Sequence, residues 1–408
     1  MKDKPTSVLI IIESYNRWRF FSRMISSFKY LGINVCCFTI CPSVKYSVKN
    51  SDMKVFYLDK SVQSDLRIDK YAYKATLEYT LQELSSESAQ SLIALFYSNL
   101  KEVFKSYKFD LILTYNGTTC LATAAKFFGI YNNIKTLFFE IANLPNKMFV
   151  DSDGTNAFSK VFKDLSILKK YDVSEKYYQD WRNSYINTKL SSNIVPQVKF
   201  GKNRLKDYSY FMLDKVAYAL LIKEKWKYIY NYANKVIRSI RRCKLEYDSI
   251  PDIDMIRYVL YPVQVSHDSQ LALHSDIDNV EAIKYASELA KNLNAVLLVK
   301  PHPAEMDKQY IEGIWRLKHT YGFYFTNVNT FKLIQNALKV VTINSTVGLE
   351  AKILGVEVHT LGRAIYANFS QQELKRYIMG YLVNINYFSD EPISVEPIKE
   401  ILKRAEIG

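Results

Sequence analysis

The sequence has no run approaching the roughly 18 uncharged apolar residues that cross a bilayer, so no membrane-spanning helix is expected in its 408 residues. Its start, "MKDKPTSVLIIIES", lacks the longer apolar region and small-residue cleavage site of a secretory signal. Cysteine is scarce. The five are Cys36, Cys37, Cys41, Cys120 and Cys243, an odd number at spacings that fit no zinc pattern. Three lie in the apolar run "INVCCFTIC" and are expected to be reduced and buried, as in a cytosolic protein. Internal repeats, low-complexity tracts and recognised nucleic-acid motifs are also lacking.

What is present is basic and apolar. Lys and Arg number 55 against 41 Asp and Glu, a net charge of +14. That balance favours an anionic partner: nucleic acid, a membrane surface or a phosphorylated substrate. Hydrophobic residues make up 48%, which excludes a disordered chain. The length exceeds one ordinary core and predicts two domains.

Strand-like runs alternate with helical ones. Residues 8–12, "INVCCFTI" (33–40), "KVFYLD" (54–59), "FDLILTYNG" (109–117) and "IKTLFFE" (134–140) read as strands. Helical spacing fills the intervals, including 70–107, which has no Gly or Pro. The pattern restarts with strands at 256–264, 295–300, 323–327, 338–344 and 356–362. Alternation of this kind predicts parallel sheets covered by helices on both faces. Three parts are expected: a Rossmann-like domain over 1–160, with 385–408 packing back on it; a basic helical insert over 161–250; and a second Rossmann-like domain over 251–384. Within 201–246 there are 12 Lys or Arg against 4 Asp or Glu, interleaved with Trp226, Tyr228, Tyr230 and Tyr232. Such a stretch suits an anionic lipid surface.

Four constellations could carry chemistry. "KPHPAE" (300–305) ends a strand abruptly, and the carboxyl end of a strand is where open α/β sheets bind ligands. Lys300, Pro301, His302 and Pro303 form a rigid turn there, and the imidazole can meet a phosphate or shuttle a proton. "INSTVGLEAKILG" (343–355) places Asn344, Ser345 and Thr346 before a helix, whose free N–H groups suit an anion. "YPVQVSHDSQ" (261–270) sets Gln264 at a strand end and Asp268 in the loop, where a carboxylate can act as nucleophile, base or ligand. "FFEIANLPNKMFVDSDGTNA" (138–157) strands Glu140 after apolar residues and follows it with a turn containing Asp151 and Asp153. Each has an ordinary alternative: a capping histidine, a helix N-cap, or a turn aspartate. His267 and His274 have no carboxylate or thiol partners at metal-binding spacing.

In this order, the four stretches resemble the capsule polysaccharide synthesis proteins that include the bacterial β-Kdo transferases. The His-Pro element and the Ser/Thr pair are also similar to those of bacterial sialyltransferases, which likewise use CMP-sugars. The resemblance covers about 250 residues, Glu140 to Gly355. It implies a GT-B fold, two Rossmann-like doubly wound domains facing a central cleft, with the CMP-sugar in the carboxyl-terminal one. It implies no metal or other cofactor, and a retaining reaction for Kdo-type members. On this reading Lys300, His302, Pro303, Asn344, Ser345, Thr346 and Gln264 hold the CMP donor. Asp268 is the nucleophile, and Glu140 or else Asp153 the acid/base partner.

The expected function is transfer of a 2-keto-3-deoxy ulosonic acid, Kdo first, from its CMP form to a glycan or lipid-linked glycan acceptor. Pseudaminic, legionaminic or sialic acid is the alternative sugar. A UDP- or GDP-hexose transferase of the same fold is a rival, but the first loop, "ESYNRWRF", lacks the glycines such enzymes often use. A basic nucleic-acid-binding protein is the rival from another class; no nucleic-acid partner is expected. The location expected is cytoplasmic, with room for peripheral contact on the inner face of the bacterial membrane.

Overall fold

The computed structural model describes residues 7–48, 53–64, 68–191, 204–240, 246–250, 252–305 and 307–405. Parts of the basic stretch, 201–203 and 241–245 with Cys243, lie outside them. The chain divides into two compact units. One comprises Met1–Lys163, Phe200–Tyr232 and Leu382–Gly408; the other comprises Asp164–Lys199 and Ala233–Tyr381.

The first unit is built on β1 (Ser7–Ile12), β2 (Asn34–Thr39), β3 (Lys54–Tyr57), β4 (Leu111–Tyr115), β5 (Lys135–Ile141) and β6 (Lys147–Asp151). A late strand, β12 (Val383–Asn384), joins them in the order β12-β6-β5-β4-β1-β2-β3. Val8, Ile10 and Ile12 of β1 pack on one face with Phe20, Phe21 and Phe28, and with Ile398 and Ile401 of the helix Val395–Arg404. Leu9 and Ile11 pack on the other with Leu92, Phe96, Leu121 and Ala124. Side chains alternate across a strand, so a strand apolar at every position is one buried on both faces. The helix Cys120–Tyr131 is N-capped by Thr119, and its alanines let it lie close on the sheet.

The strands β6 and β12, at one end of the sheet, were not expected. β6 runs antiparallel to β5, and β12 antiparallel to β6. The hairpin from β5 to β6 turns through Asn143 and Asn146, both at positive φ (55° and 57°), a region asparagine tolerates. "KMFVD" therefore continues the sheet and does not merely precede a turn.

The second unit carries β7 (Tyr258–Pro262), β8 (Val296–Lys300), β9 (Phe323–Phe325), β10 (Lys339–Thr342) and β11 (Val358–Thr360). They form a parallel sheet in the order β11-β10-β7-β8-β9. Both units thus use one plan: the first three strands run outward to one side, and the fourth and fifth to the other. Each unit is thus Rossmann-like, as the GT-B reading expected of both domains.

The segment 161–250, expected as a separate insert, is divided between the units. The helix Glu175–Ser191 docks within the second: Tyr185 and Lys189 donate to the buried Glu350 (3.0 and 2.7 Å), and Arg182 donates to the Ile353 carbonyl (2.6 Å). The helix Arg204–Ala219 docks within the first, where buried Asp214 accepts from Ser43 N, Ser43 Oγ and Tyr15 N (3.1, 2.6 and 3.2 Å). Charges that read as a solvated face are partly turned inward, onto backbone and hydroxyl donors that a buried carboxylate needs.

Candidate active site

In a doubly wound sheet, strands leave in opposite directions at one switch point, and ligands bind outside the carboxyl ends there. In the second unit that point lies between β7 and β10. Gln264 follows β7, and Asn344 follows β10. Gln264 Nε2 donates to Asn344 Oδ1 (2.8 Å), and Asn344 N donates to Gln264 Oε1 (3.0 Å). Asn344 Nδ2 goes to the Gln270 carbonyl (2.8 Å). Asn279 exchanges two further bonds with the Gln264 backbone (3.0 Å each). Both site amides are buried and bonded to protein. They set the spacing of two loops rather than present themselves to a ligand.

His302 stands after β8, on the same sheet edge. Its Nδ1 accepts from Ala304 N (3.1 Å), which leaves the proton on Nε2. Burial pushes its pKa below the ordinary value; Asp268 and Glu305 oppose the fall and Lys300 adds to it. The ring is therefore neutral near pH 7, with Nε2–H a donor that makes no other bond among the described residues. Lys300 Nζ donates to the Val328 carbonyl (2.8 Å), and burial lowers its pKa to about 8. Pro303 is exposed on the turn. Glu305, passed over in the sequence reading, clamps the loops by accepting from Ser266 N (2.6 Å) and Asp307 N (2.8 Å).

Asp268 caps the helix Ser269–His274: Oδ1 accepts from Gln270 N (2.8 Å), while Oδ2 makes no hydrogen bond among the described residues. Its carboxylate is close enough to act on the titration of His302. Ser345 caps the helix Thr346–Leu354, and Tyr366 Oη bonds the Ser345 carbonyl. Gly348 makes that approach possible, since a Cβ there would stand 2.4 Å from Tyr366 Oη. The second unit thus brings Asp268, Lys300, His302, Ser345 and Thr346 to one edge.

In the first unit Glu140 lies near the end of β5, opposite Phe149 of β6, and is half-buried. Its charge acts on Arg17, whose guanidinium lies 3.1 Å from the Tyr115 ring centre and donates to Tyr387 Oη (2.6 Å). Asp153 is paired with Lys163 (2.9 Å), which outweighs burial and holds its carboxyl below the ordinary range. Asp151, buried, takes the backbone N–H groups of Asp153 and Lys160 (2.8 and 2.9 Å) and is structural. Another carboxylate, Glu13, directly follows β1 and accepts from Thr119 Oγ1. The loop it opens, "ESYNRWRF", has no glycine. An acid closing a run of β-branched residues was the available signal.

Among the described residues no group of three or more His, Cys, Asp or Glu is placed to hold a metal ion, and no helix is long and apolar enough to cross a membrane.

Residues 130–371 match the family described as capsule polysaccharide biosynthesis proteins. The capsule polysaccharide export protein KpsS of Escherichia coli is 25% identical over 279 residues, covering 65% of this chain and 70% of that protein. The capsule polysaccharide modification protein LipB of Neisseria meningitidis is 32% identical over 125 residues, 27% of this chain and 29% of its own. Among solved structures, the β-Kdo 2,7 transferase of Thermosulfurimonas dismutans KpsC aligns over 98% of this chain and 99% of its own, at 13% identity and a TM-score of 0.47.

Proposed function

The chain belongs to the family of capsule polysaccharide biosynthesis proteins, and on that premise we propose that it is a CMP-sugar-dependent glycosyltransferase. The donor is a CMP-activated ulosonic acid, Kdo first and a nonulosonic acid second. The acceptor is a glycan or lipid-linked glycan.

One observation carries this reading: a neutral His302 with Nε2–H uncommitted stands on the same sheet edge as Asp268 with Oδ2 uncommitted. The CMP phosphate would take the His302 proton as a hydrogen bond, with Lys300 adding charge and the Ser345-capped helix terminus its N–H groups. Asp268 Oδ2 would then attack the anomeric carbon. The bond from that carbon to the phosphate oxygen breaks, and its electron pair leaves with CMP. In the second displacement the acceptor oxygen attacks, the bond to Asp268 breaks, and the acceptor's proton passes to a carboxylate. Two displacements retain configuration. Glu140 and Asp153 are the carboxylates the sequence offered, and the Lys163 ion pair makes Asp153 the poorer of the two. No metal or other cofactor enters the scheme.

The stretch 201–246 suits peripheral contact with anionic lipid, with Trp226 and Tyr230 exposed on its second helix. The test of the whole reading is a donor screen. CMP-Kdo or a CMP-nonulosonate should release CMP when an acceptor is present. Release from UDP- or GDP-sugars, with none from CMP-sugars, would overturn it.

A further inference from the structure

The first unit has its own switch point, between β1 and β4. The helix Tyr15–Ser22 starts just after β1, and its first turn carries Arg17. Tyr115 is the last residue of β4, and its Oη accepts from the N–H of Ile141, the last residue of β5 (3.3 Å). The Arg17 guanidinium lies on the Tyr115 ring, so it stands at the carboxyl ends of β1, β4 and β5. Switch points of this kind are where open α/β sheets place ligands.

The arginines near this helix differ in what they touch. Arg19 pairs with Asp207 and Asp390. Arg23 donates to the carbonyls of Glu391, Asn386 and Tyr387 (2.6, 2.9 and 3.3 Å). Arg17 makes one hydrogen bond among the described residues, from Nη1 to the neutral Tyr387 Oη. Its Nε and Nη2 are left uncommitted there, and neither is among the buried side-chain atoms that lack a partner, so solvent reaches both. A guanidinium stays charged and presents its N–H groups as a flat fork. Here the fork is fixed before any ligand arrives, by the Tyr115 ring against its face and by Tyr387 at one nitrogen.

We infer that Arg17 is an oxyanion-binding residue of the first unit, taking two coplanar oxygens of an acceptor's carboxylate or phosphate. This rests on the glycosyltransferase reading above and deepens it: the acceptor is acidic. Neighbouring groups narrow the ligand further. The charges of Glu140 and Glu13 both interact with that of Arg17. Burial raises Glu13 to about 7, with the Thr119 hydroxyl opposing the rise and Glu78 adding to it, which reduces its repulsion of an anion. Carboxylates accept from hydroxyls. The group therefore suits an oxyanion flanked by hydroxyls, as in an acidic sugar or a glycerol phosphate.

The experiment is calorimetry on the full chain, saturated with CMP so that the donor site is filled. The probes are D-glucuronate and sn-glycerol 3-phosphate, each beside its neutral counterpart, glucose or glycerol. In the wild type at least one acidic probe should bind about tenfold or more tighter than its counterpart. Arg17→Gln should remove that preference, weakening the acidic probe about 10–150-fold, the range for a hydrogen bond to a charged group. Arg17→Lys should keep part of it, because an ammonium holds the charge without the fork. Arg19→Gln removes an equal charge from the same helix and should leave binding within about twofold, since Arg19 is already paired. The melting shift with CMP reports that each variant is folded. A preference for glucuronate assigns a sugar carboxylate, and one for glycerol 3-phosphate a lipid-type phosphate. A wild type that prefers neither acidic probe overturns the proposal, whether or not any variant folds. So does a preference that Arg17→Gln keeps, or that Arg19→Gln loses as fully. A transfer assay separates this from the reading it rests on. CMP release from a CMP-sugar without an Arg17-dependent preference leaves the glycosyltransferase reading and removes Arg17. The preference without CMP release from any CMP-sugar leaves the oxyanion site and overturns that reading.

Discussion

Lys300 offers a quantitative test of the donor site. Burial lowers its ammonium to about 8, against about 10.4 for a free lysine. In the free protein at pH 9, about nine in ten molecules would then carry a neutral amine at this position. A CMP phosphate placed beside it favours the charged form and returns the pKa toward its ordinary value. The sign follows: binding takes up a proton above pH 8, so affinity falls as pH rises through the free-state pKa. If the complex restores about 10.4, the Kd for CMP should weaken about tenfold between pH 7 and pH 9, ~1.4 kcal/mol. About 0.9 proton should be taken up per CMP bound at pH 9. Calorimetric titration at pH 7, 8 and 9, in two buffers of unlike ionisation enthalpy, reads both quantities. Lys300→Met should bind more weakly at pH 7 and show no such slope. A wild-type Kd constant within twofold from pH 7 to 9, or the same slope in Lys300→Met, would refute the placement of the phosphate beside Lys300.

Much of the fold could be read from the chain because buried parallel strands write themselves as unbroken apolar runs. "SVLIII" and "AVLLVK" were legible for that reason. What failed were features set by contacts distant in sequence. β12 is two residues long and exists because β6 offers it an edge. The charge run in 201–246 concealed Asp214, whose partners Tyr15 and Ser43 lie 199 and 171 residues away. No local pattern distinguishes an inward aspartate from a solvated one on such a helix.

The site divides in the same way. The placing of His302, Ser345 and Asp268 on one sheet edge could be read from the chain, because each lies just after a strand or caps a helix and a parallel sheet puts those positions together. Gln264 and Asn344 were expected to meet the donor, and in the structure their amides bond each other. Their pairing spans 80 residues and consumes the groups expected to meet the donor. Glu13 was missed because the first loop was weighed for glycines that would fit a diphosphate, and its acid was left out of account. Desolvation, which makes that acid interesting, is a property of the packed helices around it.

Three further outcomes are expected. His302→Ala and Ser345→Ala should each weaken CMP binding by about 10–150-fold, the ~1.5–3 kcal/mol of a charged-group hydrogen bond, with the fold kept; calorimetry reads the binding, and thermal unfolding should show His302→Ala unchanged and Ser345→Ala lowered by the lost helix cap, about 0.5–2 kcal/mol. Asp268→Asn should bind CMP-sugar and fail to turn it over, because the amide is not nucleophilic; near-normal turnover, or a wild-type product of inverted configuration, would remove Asp268 as nucleophile. The amide lock between the loops gives the last. Asn344→Ala leaves the Gln264 amide, 3% exposed, with its side-chain Nε2 unpaired, and it removes the bond from Nδ2 to the Gln270 carbonyl as well. An orphaned buried amide costs about 1–3 kcal/mol, so urea unfolding should show a loss of that order, with CMP binding weakened as Ser345 loses its fixed neighbour. Replacing Gln264 by Leu in the same chain removes the stranded amide, and part of the stability should return. Binding should not, because the spacing of the loops after β7 and β10 is still unset. Recovery of both together would mean that the lock serves packing alone, and loss of binding without loss of stability would mean that Asn344 meets the donor directly.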